Sequence, residues 1–120
     1  FAFNRKEVKD HGEGGHIIGA KLAGRVLVID DVISAGTSVR ESVEIIRAAG
    51  AEPCGVVIAL DRMERGTGTL SAVQEVEQDF GIPVVAVATL NDLMAFLSHH
   101  PEFKAHENAV SQYRRQYGVN

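Results

Sequence analysis

Two adjacent carboxylates lie where an aliphatic segment gives way to small and hydroxyl-bearing residues. The segment VLVIDDVISAGTSVRE spans residues 26–41 and places Asp30 and Asp31 at that change. Their oxygens could accept hydrogen bonds from vicinal sugar hydroxyls or bind a hard cation such as Mg²⁺. Taken alone, the pair could equally have a structural role as a cap for the next helix, so its chemistry depends on the neighbouring residues.

The residues that follow the aspartates indicate a phosphate-binding turn. Small and hydroxyl side chains let backbone N–H groups approach a phosphate closely, and the N-terminus of a helix adds a favourable dipole. The sequence has neither G-x-x-x-x-G-K-[ST] nor, after a strand, G-x-G-x-x-G. A monophosphate next to a ribose is therefore the simplest ligand. The turn comprises Val32, Ile33, Ser34, Ala35, Gly36, Thr37 and Ser38.

Two further charged segments could belong to the same site. RKEVKDHGEGG at 5–15 is polar and rich in lysine and glycine, and LDRMERG at 60–66 places Arg62 after a second aliphatic run. Because ligands bind outside the carboxyl ends of parallel strands, we expect Arg62 beside the aspartates. The ordinary interpretations are a solvated charge run for the first segment and a surface ion pair with Asp61 for Arg62.

Alternating strands and helices are needed to position these groups. Aliphatic runs predict strands over 26–29, 56–60 and 84–88, and the first run is typical of a strand buried on both faces. Apolar stripes predict helices from about 38 to Gly50 and over 70–80, 91–98 and 101–118. Ser38 and Glu41 have the spacing of a capping box. This order predicts the α/β class, with a doubly wound, mostly parallel sheet and flanking helices.

Composition narrows the possible functions. A sequence of 120 residues forms one domain at most. The net charge of -4 argues against nucleic-acid binding, and no apolar run approaches the roughly 20 residues that span a bilayer. We therefore expect no nucleic-acid partner and no membrane segment. The single cysteine, Cys54, is expected to be a buried thiol and indicates a reducing, cytoplasmic setting.

Together these segments resemble the type I phosphoribosyltransferases, which use phosphoribosyl pyrophosphate (PRPP). DDVISAGTS after an aliphatic strand is similar to their ribose-phosphate signature. RKEVKDHGEGG and LDRMERG resemble the mobile catalytic loop and the base-binding segment of the orotate phosphoribosyltransferase family within that class. The resemblance covers 1–120 as the C-terminal portion of the family's domain, lacking the N-terminal part. It assigns 4–16 to the mobile loop, 26–41 to the PRPP motif and 101–118 to the C-terminal helix.

The resemblance implies an enzyme of de novo pyrimidine (UMP) biosynthesis. The family is a pentosyltransferase that moves the 5-phosphoribosyl group from PRPP to orotate, giving orotidine 5'-monophosphate and pyrophosphate. Its implied cofactor is Mg²⁺, which arrives with PRPP and contacts Asp30 or Asp31, without dedicated protein ligands. A homodimer that shares loop residues across its interface is implied as well.

Residue roles follow from the same resemblance. Lys9, Asp30 and Asp31 are implied to be catalytic, and Ser34 and Arg62 to contact orotate. Position 34 is Ser where the family more often has Thr, so the hydroxyl is kept. The implied PRPP-binding residues are Arg5, Lys6, Lys9, His11, Asp30, Asp31, Val32, Ile33, Ser34, Ala35, Gly36, Thr37 and Ser38.

Two other classes compete with an enzyme. A PRPP-binding regulatory protein on the same fold would not need the lysine- and histidine-bearing segment at 5–15, and the acidic net charge disfavours a nucleic-acid target. A receiver-like signalling domain, with Asp30 or Asp31 as phosphate acceptor, would leave the SAGTS turn unexplained. We therefore favour the enzyme.

Overall fold

The computed structural model describes residues 1–4, 17–34 and 36–119. Strands β1 (Ala2–Asn4) and β2 (Ile17–Gly19) form an antiparallel pair. The remaining elements, in chain order, are β3 (Arg25–Asp30), α1 (Thr37–Ala48), β4 (Glu52–Asp61), α2 (Ala72–Phe80), β5 (Val84–Thr89), α3 (Leu90–His99), a 3₁₀ turn (Pro101–Phe103) and α4 (Lys104–Tyr117). None of the helices in these ranges has the length and apolar character needed to cross a membrane.

The central sheet is parallel, with strand order β3-β4-β5. This confirms the predicted α/β class and all three predicted strands. β4 begins at Glu52, earlier than expected, and its register with β3 shifts between Val26 and Leu27. Pro53 lies at this shift. Proline has no N–H to donate to a neighbouring strand, so it occurs mainly at strand edges and irregular positions. Cys54 follows in β4 and is half-buried, so the prediction of a buried thiol is wrong.

The hydrophobic core lies on one face of this sheet. Val56 and Ile58 of β4 are fully buried against apolar residues of α1 and α2. Val39 and Val43 come from α1, and Val76 comes from α2. Because side chains alternate between the faces of a strand, every second aliphatic residue enters this core.

The opposite face of the sheet is exposed in the described part of the chain. Leu27 and Ile29 of β3 are 50% and 77% exposed, and Val85 and Val87 of β5 are 59% and 79% exposed. The prediction that β3 is buried on both faces is therefore wrong for the described residues. An aliphatic run shows that both faces of a strand are apolar, but it does not show which of them another element covers.

Helix beginnings differ from the predicted pattern. α1 begins at Thr37 with Gly36 as its N-cap and no side-chain cap, so the capping box predicted for Ser38 and Glu41 is wrong. The capping boxes are instead at α2, where Ser71 pairs with Gln74, and at α3. The α2 helix consequently starts after Leu70, which lies in the preceding loop.

The two C-terminal helices pack against each other. The helix predicted over 101–118 is a 3₁₀ turn followed by α4. Phe96 of α3 stacks on His100 with ring centroids 3.9 Å apart and lies 5.7 Å from the ring of Phe103. Arg114 of α4 contacts the sulfur of Met94 at 3.3 Å. Backbone hydrogen bonds from Arg65 to Tyr117 and from Val119 to Met63 hold the end of α4 beside the loop that follows β4.

Candidate functional site

The acid pair lies at the carboxyl end of β3, where it organises its own loop. Asp30 accepts a hydrogen bond from the Asp31 N–H at 2.9 Å on Oδ1 and from Ser38 Oγ at 2.8 Å on Oδ2. The Asp31 carbonyl accepts from the N–H groups of Ala59 and Leu60, at 2.9 and 3.1 Å. The pair is thus anchored to β4 and to the first turn of α1, as predicted for a site at this edge.

The carboxylate of Asp31 is held in its charged form by a local donor. The Val32 N–H donates to Asp31 Oδ1 at 2.7 Å. This bond, with a smaller effect from the Asp30 side chain, lowers the pKa of Asp31 below its ordinary value. Asp31 is exposed, so its negative charge is available to a ligand in the groove beside it.

An open groove of about 740 Å³ runs alongside the acid pair. The groove is large enough for a small-molecule ligand. It is lined by Ile29, Asp30, Asp31, Val32, Ser38 and Ala59. Among the residues that the structure describes, no three metal-ligating side chains come together.

The turn into α1 contains a left-handed glycine and leads to a helix start without a side-chain cap. Gly36 has φ of 67°, in the left-handed region that favours glycine, and its carbonyl accepts the first helical hydrogen bond, from Arg40 N–H at 2.9 Å. The first N–H groups of α1 have no side-chain cap. Ile33 is buried in the core, so its side chain has a packing role. A ligand contact from Ile33 would come from its backbone.

Arg62 contacts the turn that precedes α1, although the two contacting residues are 28 positions apart in the sequence. Arg62 Nη2 donates to Ser34 Oγ at 2.7 Å. The structure therefore brings together the two residues that the resemblance assigned to orotate. The ordinary interpretation, a surface ion pair with Asp61, does not hold, because Arg62 pairs with Glu64, with Nε 3.3 Å from Oε1. Asp61 Oδ1 instead accepts the Met63 N–H at 2.8 Å.

Several predicted site residues are not tested by the structure. Arg5, Lys6, Lys9, His11 and Ala35 lie outside the described residues, as does most of the segment assigned to the mobile loop. Thr37 is the first residue of α1. Their assigned roles stay predictions.

Several contacts that could not be predicted from the sequence hold the loop that contains Arg62. Glu64 pairs with Gly118 in a β-bridge, and Arg65 pairs with Ser71 in another. Glu75 Oε1 accepts from Thr67 Oγ1 at 3.1 Å and from the Gly68 N–H. Gly118 is distant from Glu64 in sequence, and no periodic pattern signals the shorter-range contacts. Only the acidic residue two positions after Arg62 could have suggested an alternative ion pair.

Comparison with known proteins gives sequence and structural relatives. The orotate phosphoribosyltransferases of Chromobacterium violaceum and Laribacter hongkongensis are 72% and 71% identical over 120 and 119 residues. The crystal structure of the orotate phosphoribosyltransferase of Francisella tularensis matches 98% of this chain at 34% identity, with a TM-score of 0.75. The chain spans 56% of the length of those two sequence relatives and 55% of that structure. Comparison with models of protein families gives no match.

Fold, site and relatives agree on the class. The parallel sheet with an acid pair and a hydroxyl-rich turn at its carboxyl edge has the type I phosphoribosyltransferase fold. Within that class, the chain is similar over its described length to orotate phosphoribosyltransferases. The assignment of this stretch to the C-terminal portion of the family's domain stays a prediction.

Proposed function

We propose that the protein containing these residues is an orotate phosphoribosyltransferase. It transfers the 5-phosphoribosyl group of PRPP to orotate, giving orotidine 5'-monophosphate and pyrophosphate in pyrimidine biosynthesis. The bond from the anomeric carbon to pyrophosphate breaks, and its electron pair leaves with pyrophosphate. An orotate ring nitrogen bonds to that carbon and releases its proton.

The contact between Ser34 and Arg62 is the observation that carries this proposal. It joins a sugar-phosphate motif to a cationic side chain that follows the neighbouring strand, at 2.7 Å. A guanidinium binds a planar carboxylate through two parallel hydrogen bonds, and orotate is a planar base that carries a carboxylate. Uracil and hypoxanthine have no such group, so Arg62 supports selection of orotate.

The charges around the groove suit the transition state of this transfer. Positive charge develops on the ribose as the leaving group departs, and Asp30 and Asp31 supply negative charge beside the groove. The uncapped N-terminus of α1 suits the 5'-phosphate, with Ser38 and Gly36 at its entrance. Arg5, Lys6, Lys9 and His11 would bind the pyrophosphate, where negative charge grows.

We include in the proposal a bound Mg²⁺ ion, a homodimeric assembly and a cytoplasmic location of the protein. Mg²⁺ prefers oxygen ligands, and the carboxylates of Asp30 and Asp31 supply them. They would hold a PRPP-bound Mg²⁺ ion directly or through water. The ion would offset the negative charge of the pyrophosphate. A homodimer that shares residues of the 5–15 segment across its interface belongs to the same proposal. A cytoplasmic location is supported only by the single cysteine.

An absorbance assay of orotate consumption tests the proposed function in the whole protein. We expect turnover that requires both PRPP and Mg²⁺, with no comparable turnover of uracil or hypoxanthine. We also expect Lys9→Ala to lower kcat by orders of magnitude while the circular dichroism spectrum stays unchanged, since this cation would stabilise the departing pyrophosphate. Equal turnover with uracil or hypoxanthine, or none with orotate, would contradict the assignment.

A further inference from the structure

Glu64 holds the inner side of the Arg62 guanidinium. Arg62 Nε lies 3.3 Å from Glu64 Oε1, and the two side chains are 31% and 16% exposed. Both of these atoms are buried, and neither has an aligned hydrogen-bond partner among the described residues. The pair is therefore held by charge and proximity at a point from which water is excluded.

Two contacts set the direction of the guanidinium plane. Nε faces Glu64, while Nη2 donates to Ser34 Oγ at 2.7 Å. A guanidinium has five N–H donors in one plane, so donors remain for a planar anion. Fixing the plane in advance reduces the side-chain entropy lost when such an anion binds.

The backbone of Glu64 is itself fixed by contacts with α2 and with the segment after α4. Its carbonyl accepts from the Ala72 N–H at the start of α2, at 2.9 Å, and the residue forms a β-bridge with Gly118. Two backbone hydrogen bonds flank the bridge, Arg65 N–H to the Tyr117 carbonyl at 2.8 Å and Val119 N–H to the Met63 carbonyl at 2.9 Å. The segment after α4 thus anchors the residue that faces Arg62.

A turn with unusual backbone geometry separates Arg62 from Glu64. Met63 has φ of 54°, a left-handed conformation that residues other than glycine adopt only at a cost. Asp61 Oδ1 and the Val119 N–H both bond to its backbone. Surrounding contacts therefore maintain a turn that local preference disfavours, which is typical of a functional segment.

The geometry points to Glu64 as a positioning residue that aims Arg62 at the carboxylate of the acceptor base. This inference rests on the proposed function, because it assumes that Arg62 binds orotate. Glu64 touches Arg62 and no reacting atom, so it sets the affinity for an anionic base and leaves PRPP binding unaffected. The segment at 117–119 contributes indirectly by fixing the Glu64 backbone.

Steady-state kinetics of the whole protein with Glu64→Ala and Glu64→Gln test this role. We expect Glu64→Ala to raise the KM for orotate roughly tenfold, the effect of losing one charge-assisted contact, with kcat and the KM for PRPP within twofold. Glu64→Gln keeps an oxygen that can face Nε and should show an intermediate effect. The matched control is Glu75→Gln, which alters a carboxylate of α2 that contacts Thr67 and Gly68 of the same loop and should leave the KM for orotate unchanged.

A double-mutant cycle with Arg62→Ala separates positioning from general stability. If Glu64 acts through Arg62, adding Glu64→Ala to Arg62→Ala raises the KM for orotate no further. Additive effects would overturn the inference, as would an unchanged KM in both Glu64 variants while Arg62→Ala raises it. Failure of the unchanged protein to consume orotate would overturn the proposed function and this inference with it.

Discussion

The two helices that follow β3 and β4 begin at the same edge of the sheet, but their N-termini are capped differently. α1 has Gly36 as its N-cap and no side-chain cap, whereas Ser71 caps α2 in a reciprocal pair with Gln74. Ser71 Oγ accepts the Gln74 N–H at 3.1 Å, and Gln74 Oε1 accepts the Ser71 N–H at 2.8 Å. The N-terminus of α2 is thus satisfied within the protein.

The difference shows which helix end suits a ligand. A helix leaves its first N–H groups without internal partners, and these are bound by a capping side chain, water or a ligand. At α1, glycine in the left-handed region lets the chain turn sharply after the acid pair and leaves the N–H groups accessible to an anion. At α2, the capping box removes that option and stabilises the helix.

The largest expected effect comes from the acid pair at the α1 side. Asp30→Asn removes negative charge beside the developing positive charge on the ribose, so we expect kcat to fall on the order of 100-fold. The matched variant on the α2 side is Asp61→Asn, whose amide oxygen can still accept the Met63 N–H. We expect less than a tenfold change in kcat there, measured in the same orotate assay. Equal losses in both variants would remove the distinction between the N-termini of α1 and α2.

A side chain at Gly36 should weaken both folding and phosphate binding. In Gly36→Ala the added Cβ meets Val76 Cγ2 at 3.3 Å on a backbone with φ of 67°. We expect a loss of about 1 kcal/mol in the free energy of unfolding and a several-fold higher KM for PRPP. Thermal unfolding and kinetics measure the two effects. Gly68→Ala is the control, because its Cβ has only an ordinary contact, at 4.0 Å with Glu75.

Removal of the α2 cap should affect stability alone. Ser71→Ala leaves the Gln74 N–H without its partner, so we expect a loss of about 1 kcal/mol in the free energy of unfolding. Because this helix end is not assigned to a ligand, the KM for PRPP should stay within twofold of the unchanged value. A rise in the KM for PRPP as large as in Gly36→Ala would contradict the assignment of phosphate binding to the N-terminus of α1 and not to that of α2.

The smallest expected effect is on the titration of Asp31. Its pKa is lowered in the folded protein, chiefly by the Val32 N–H, so its charge stabilises the fold fully above the unfolded-state pKa. That contribution is lost as the pH falls through the folded-state pKa. We expect the ¹³C carboxyl signal of Asp31 to titrate below the range of an ordinary aspartate. A midpoint at or above that range would show that the Val32 bond is absent in solution.

The strands could be predicted from sequence, but their surroundings could not. Aliphatic runs at 26–29, 56–60 and 84–88 match β3, β4 and β5, because branched side chains favour strands wherever they are packed. β2 was not predicted, since it has only three residues and no clear period. The Ser38 and Glu41 pattern was misleading because the helix begins at Thr37, and the Ser38 hydroxyl bonds Asp30 instead.

By itself, the sequence determined that an acid pair and a hydroxyl-rich turn follow one strand and that Arg62 follows the next. These features are local, so residue order alone carries them. Only the tertiary structure decided that Arg62 meets Ser34 and pairs with Glu64, and that Ile29 and Val87 lie exposed on one face of the sheet. Those outcomes depend on packing between segments far apart in the chain, about which local preference carries no information.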